Sequence, residues 1–142
     1  LHLVFAGPDE GLGDQLRKKI KKESLENRIH LIGYIEGYDK VGAYTGAEFL
    51  VVPSRREAMS IVALEAGACG TPVILSTECG FDEVKEVGCK VVPPIADELY
   101  NGMNSMLSSS KSLKALGNDL RNLILERYTW KKSAEQYLKF LP

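Results

Sequence analysis

The sequence predicts an α/β fold, Rossmann-like in its layering, with helices on both sides of a doubly wound parallel sheet. Three observations predict it. Short apolar runs alternate with stretches of helical spacing along the 142 residues. The apolar runs are continuous rather than alternating, which is the pattern of strands covered on both faces. Gly or Pro stands at the ends of several runs, as at Gly7-Pro8, Pro53-Ser54 and Pro93-Pro94.

Leu1–Ala6 is the first strand, and it stops at Gly7-Pro8. Leu12–Leu25 is a helix, with Leu12, Leu16, Ile20 and Leu25 on one face and basic residues between them. Ile29–Ile32 reads as the second strand and Asp39–Thr45 as a short helix. Phe49–Val52 is the third strand, and Ser60–Cys69 is a helix closed by Gly70. Pro72–Leu75 and Lys90–Val92 complete the strands. Three helices follow, Ala96–Leu107, Leu113–Glu126 and Lys131–Leu141, with Ser108–Ser112 as a loop. No repeat or low-complexity segment interrupts the series, so residues 1–142 read as one domain. A domain of this size buries roughly two-thirds of its unfolded surface and needs no covalent staples.

A net charge of -1 offers no electrostatic footprint for nucleic acid. Cys69, Cys79 and Cys89 are odd in number and contain no Cys-x-x-Cys pair, so they read as reduced thiols of a cytoplasmic protein rather than disulfides or metal ligands. Ala58–Ser76 is the longest apolar stretch, but Glu65, Gly67, Gly70 and Pro72 spoil it as a membrane span. The chain opens inside a strand without a preceding Met, so it is expected to be part of a longer polypeptide.

In a parallel α/β fold, ligands bind beyond the carboxyl ends of the strands. The loops Gly7–Gly13, Gly33–Tyr38 and Pro53–Met59 qualify. The third leads into the apolar helix Ser60–Cys69, which carries a single charge, Glu65. A helical Glu is ordinarily solvent-facing, but this helix offers no polar face for it. A packed carboxylate must be paired or hydrogen-bonded, and hydroxyls of a ligand would serve. The helix start at Met59, Ser60 and Ile61 offers backbone amides to an anion, and phosphate is a natural guest. Glu57 stands in the loop, with seven residues between it and Glu65. Phosphate in the middle and hydroxyl-bearing rings on both sides describe a nucleotide sugar.

The stretch "PSRREAMSIVALEAGACGTPVILS" resembles the glutamate-x-seven-glutamate segment of family 4 glycosyltransferases, also called group 1. Pro53-Ser54, Glu57, Leu64-Glu65-Ala66, Ala68-Cys69-Gly70 and Pro72-Val73 match in order and spacing. "LVFAGPDEG", "RIHLIGYIEGYDKVGAYTGAEFLVVPS" and "ERYTWKKSAEQYLKFL" match upstream and downstream, so the resemblance covers essentially the whole chain. Ala58 replaces the usual Gly, Met59-Ser60 replaces Phe-Gly, and Gly67 stands where Met is common. These departures bear on the donor sugar and the loop shape rather than on the family.

The resemblance implies the C-terminal, donor-binding half of a GT-B enzyme with two Rossmann-like domains. It implies a retaining transfer of sugar from a nucleotide diphosphate sugar to an acceptor hydroxyl. Glu57 would lie by the donor sugar as the catalytic glutamate, and Glu65 would bind the ribose hydroxyls. Met59, Ser60 and Ile61 would hold diphosphate and sugar through their amides. Ile35 would contact the base through its backbone, and Lys40 would assist there, though an ordinary surface lysine is an equal reading. Arg55 and Arg56 read as a solvated loop pair, and His2 and His30 as structural. The partner of this domain would be the missing N-terminal acceptor domain of the same chain, through which the longer protein could also touch a membrane surface. The family's phosphate-binding Arg and Lys precede the strand that opens this sequence, so the stretch alone is expected to be inactive. No Asp-x-Asp motif occurs, in line with chemistry that needs no metal or other cofactor. Two rivals are a GT-B sugar-nucleotide epimerase, which would need further acidic and histidine residues around the sugar, and a non-catalytic Rossmann-like binding module, against which both glutamates argue.

Overall fold

The computed structural model describes residues 1–109 and 111–140, in two compact units, one of residues 1–40 and one from Val41 onward. Ser110 of the predicted loop and Leu141 of the predicted last helix lie outside the described residues.

The first unit pairs strand β1, Leu3–Ala6, in parallel with β2, Ile29–Gly33, across helix α1, Gly13–Lys22. The register runs from Leu3 opposite Ile29 to Ala6 opposite Gly33, with one irregularity between Phe5 and Ala6. Asp9 starts α1 in place of a side chain at the cap: its carboxylate accepts the amides of Gly11 and Gly13, both at 2.9 Å. Those two amides hold the Asp9 carboxyl below its usual range. Lys19, Lys21 and Lys22 fill the last turn, where the helix dipole favours cations. One expectation fails here. Continuous apolar character predicts burial on both faces, yet Leu3, Val4 and Phe5 are 44%, 49% and 41% exposed. Two strands and one helix leave a strand face with little to cover it, and Ile20 of α1 is the one apolar side chain of this unit that is buried.

Helix α2, Gly37–Gly46, runs across the boundary. The second unit is built on three parallel strands in the order β3 (Leu50–Val52), β4 (Val73–Ser76) and β5 (Lys90–Val92). The strands therefore pair as two parallel ladders rather than one continuous sheet. Central β4 is buried at every position. Its alternate side chains serve opposite faces. Val73 and Leu75 join a core with Ala63 and Ala66 of α3 (Ile61–Ala68) and Leu120, Leu123 and Ile124 of α5 (Leu113–Arg127). Ile74 packs on the other side with Met106 of α4 (Ala96–Leu107) and Leu116. Helices on both faces of a parallel sheet are the predicted arrangement.

Two glycines set the approach of α3 and α5. A Cβ on Gly67 would lie 2.8 Å from Leu120 Cγ, and one on Gly117 would lie 2.7 Å from the carbonyl carbon of Gly70. The departure at Gly67 thus has a packing reason: Leu120 and Ile124 already fill the space a side chain would need. A 3-10 helix over Asp82–Val87, closed by Gly88 at φ 99°, precedes β5. Helix α6, Trp130–Leu138, ends the described chain and buries none of its residues. Among the described residues no helix is long and apolar enough to cross a membrane. Cys79 and Cys89 are buried, Cys69 is half-buried, and all three are free thiols.

Candidate functional site

The carboxyl end of β3 releases residues 53–60 before α3, and the carboxyl end of β4 releases residues 77–81. The two loops are stitched together. The Glu57 amide donates to the Glu78 carbonyl at 2.9 Å, and the Ser60 amide to the Cys79 carbonyl at 3.0 Å. Beneath them, the Ser76 hydroxyl donates to the Ser54 carbonyl and accepts the Glu78 amide at 3.2 Å. The Cys79 thiol donates to the Val52 carbonyl at 3.4 Å. Gly80 completes the junction. Its φ of +60° suits glycine, and a Cβ there would lie 2.8 Å from the Ala58 carbonyl carbon.

At this junction stand four of the expected residues, Glu57, Met59, Ser60 and Ile61, with Glu65 about a turn further into α3. Glu57 is half-buried, and its Oε2 is fully enclosed without a hydrogen-bond partner. Ser60 is 1% exposed, and its Oγ is likewise enclosed and unpartnered. A buried polar group without a partner is costly, and each such group calls for a partner, whether water, ion or ligand. Ser60 caps α3 by position, but its side chain makes no bond to the first turn. The amides of Ile61, Val62 and Ala63 therefore keep the helix-start character that attracts anions.

Two expectations are corrected here. The Ser60 amide is engaged by Cys79, so it is not one of the donors waiting for a ligand. The amides of α3 that lack a helical partner begin one residue later, at Ile61. The apolar helix is also not packed all round: Ile61 is 61% exposed at its first turn, beside the loop.

The lone carboxylate of α3 has an anchor. Glu65 Oε2 accepts the Tyr44 hydroxyl at 2.8 Å. Burial and then this bond push the Tyr44 phenol well above its ordinary value. Tyr44 is in turn held by Thr71, whose hydroxyl donates to the Tyr44 carbonyl at 2.6 Å. Tyr44, Ser76, Cys79 and Gly80 were not singled out from sequence. Their roles depend on partners distant along the chain, and Gly80 alone carried a signal, as a turn residue after β4. Ile35 and Lys40 belong to the first unit, Ile35 just beyond the carboxyl end of β2 and Lys40 in α2. Arg55 and Arg56 are exposed, as expected of a solvated pair. His2 and His30 stack with ring centroids 5.3 Å apart and share a 3.0 Å hydrogen bond.

A cavity of about 380 Å³ lies at the other edge of the second unit. Glu48, Cys69 and Thr71 line it from the segments that enter β3 and β4, with Lys114 and Arg121 of α5. Amino ends of strands are not where parallel α/β folds place ligands.

Parallel strands with helices on both faces define an α/β domain, and its fold is that of GT-B enzymes. The chain belongs to the family described as "Glycosyl transferases group 1", whose sequence profile matches residues 1–123. It is 31% identical over 137 residues to an uncharacterised glycosyltransferase of Methanocaldococcus jannaschii, covering 94% of this chain and 35% of that protein. It is 28% identical over 123 residues to an MMP alpha-(1->4)-mannosyltransferase of Mycolicibacterium hassiacum, covering 84% of this chain and 30% of that protein. Among solved structures it resembles the sucrose-phosphate synthase of Thermosynechococcus elongatus, with a TM-score of 0.83 and 27% identity over 97% of this chain and 37% of that one. The chain spans about a third of the length of the relatives it matches.

Proposed function

We propose that residues 1–142 form the nucleotide-sugar-binding C-terminal domain of a retaining glycosyltransferase, a cytoplasmic enzyme that moves a sugar from a nucleotide diphosphate donor to an acceptor hydroxyl. The observation that carries this reading is the pair of enclosed, unpartnered polar atoms, Glu57 Oε2 and Ser60 Oγ, at the carboxyl-edge loop that opens α3. Family membership supplies the reaction class.

Each residue then has a task. The amides that open α3 face the diphosphate and stabilise the charge it gains on leaving. Glu57 lies against the sugar and orients it for transfer. Glu65, held by Tyr44, accepts from the ribose hydroxyls. The acceptor binds to an N-terminal domain, and this stretch by itself performs no transfer.

Glu65→Gln is the test. In the full-length enzyme it should weaken nucleotide binding by about 1.5–3 kcal/mol, the range for hydrogen bonds to a charged group. The Tyr44 hydroxyl can still donate to the Gln carbonyl oxygen, so the fold should hold. Unchanged nucleotide affinity by calorimetry would sink the assignment.

The reading also places no metal in the reaction. The helix-start amides do the electrostatic work a hard cation would otherwise do. Transfer by the full-length enzyme should survive excess EDTA. Activity abolished by chelation and restored by Mn²⁺ would contradict this.

A further inference from the structure

We infer that Ser60 is a specificity-determining residue: its hydroxyl and the Glu57 carboxylate together clamp one hydroxyl of the donor sugar. The inference rests on the donor-site reading above and deepens it.

The behaviour of Ser60 is unusual within this chain. Ser112 and Thr129 also stand at helix N-caps, and both accept an amide of the first turn, from Ala115 at 3.2 Å and Lys132 at 3.2 Å. Such a bond is the ordinary reason for a hydroxyl at that position. Ser60 makes none, although it is more deeply buried than either. Its Oγ and Glu57 Oε2 are the two side-chain polar atoms that stand buried and unpartnered among the described residues. The backbone between them is pinned. The amides of Glu57 and Ser60 bond to the carbonyls of neighbouring residues, Glu78 and Cys79, and Gly80 lies against Ala58. Neighbouring Cα atoms are about 3.8 Å apart, so these anchors fold the segment into a tight bend. Those bonds tie the backbone on either side of both atoms.

The chemistry of the pair selects its guest. A carboxylate only accepts, whereas a serine hydroxyl both donates and accepts. A sugar hydroxyl complements both at once: it donates to Glu57 Oε2 and accepts from the Ser60 O–H. An ionised phosphate oxygen has no proton for Glu57 and is repelled by its charge. The clamp therefore engages the sugar, while the diphosphate is left to the amides of α3. The glycine usual at this position in the family pattern has no hydroxyl to offer, so the clamp is a property of chains with serine here.

The test uses the full-length enzyme and calorimetry with UDP-glucose, GDP-mannose and ADP-glucose, each against its free diphosphate. Ser60→Ala should lower affinity for the bound sugar nucleotide about fivefold to tenfold, the worth of one neutral hydrogen bond. Affinity for the free diphosphate should not change. On the wild type, one member of a monodeoxy series of the same sugar nucleotide should lose more than this factor, because it forfeits the bonds to both Glu57 and Ser60, and in Ser60→Ala that loss should shrink by the Ser60→Ala factor. Equal losses for sugar nucleotide and diphosphate would overturn the clamp, as would no loss in either. A deoxy series in which no member weakens binding to the wild type would overturn it even if Ser60→Ala failed to fold. If Glu65→Gln weakens binding while Ser60→Ala does not, the clamp fails and the donor site stands. If the wild type binds none of the six probes, both fail.

Discussion

Glu57→Gln in the full-length enzyme is expected to lower kcat for sugar transfer about a hundredfold, the scale of one lost electrostatic contact in a preorganised site. The substitution keeps shape and removes charge. On the proposed function, positive charge builds on the sugar as the diphosphate departs, and the Glu57 carboxylate would face that change. The backbone of Glu57 is fixed by its bond to Glu78, so the loop should keep its geometry in the variant. An unpaired buried carboxylate costs stability, and an amide costs less, so thermal stability should hold or rise. KM for the donor should change far less than kcat, because the interaction is strongest in the transition state. Steady-state kinetics beside thermal unfolding would check this. A kcat within a few-fold of wild type would remove Glu57 from the reaction.

Gly117→Ala should produce the largest loss of stability. The new methyl would be driven against the backbone of Gly70, 2.7 Å from its carbonyl carbon and 3.2 Å from Pro72 Cδ. Gly70 closes α3 with φ +82° and Pro72 leads directly into β4, so neither can move without shifting the core. Overpacking of this kind costs about 3 kcal/mol. Gly42→Ala is the control: it sits in a helix with open space around its Cβ, and helix propensity favours alanine there. Denaturant melts of both variants would measure the contrast. Equal stabilities would show that α3 and α5 do not approach as described.

Much of the fold is legible because burial and periodicity agree. Pro72–Leu75 reads as a fully covered strand, and β4, Val73–Ser76, is one. Leu1–Ala6 reads the same way, yet β1, Leu3–Ala6, is exposed, because a composition states what a segment could bury and not what lies beside it. The 3-10 helix Asp82–Val87 escapes a sequence reading: it is too short for a helical period and mostly charged. The glutamate pair was legible through its spacing, and the carboxylate in an apolar helix announced a need for a partner. That the partner is Tyr44, 21 residues earlier, depended on tertiary packing. The same holds for Gly80, whose importance lies in the Ala58 backbone pressed against it.

The central claim is that the loop at 53–60 and the start of α3 bind the donor. The most direct measurement is a titration of UDP-, GDP- and ADP-sugars into this 142-residue chain, followed residue by residue by amide NMR shifts. The account predicts weak binding, about millimolar, or about -4 kcal/mol, because the diphosphate is met by neutral amides, whose hydrogen bonds are about half as strong as charge-assisted ones. The shifts should concentrate on Glu57, Met59, Ile61, Val62 and Glu65. Shifts gathered instead around Glu48, Thr71 and Arg121, at the amino edge of the strands, would contradict it, as would micromolar affinity with residues 57–65 undisturbed.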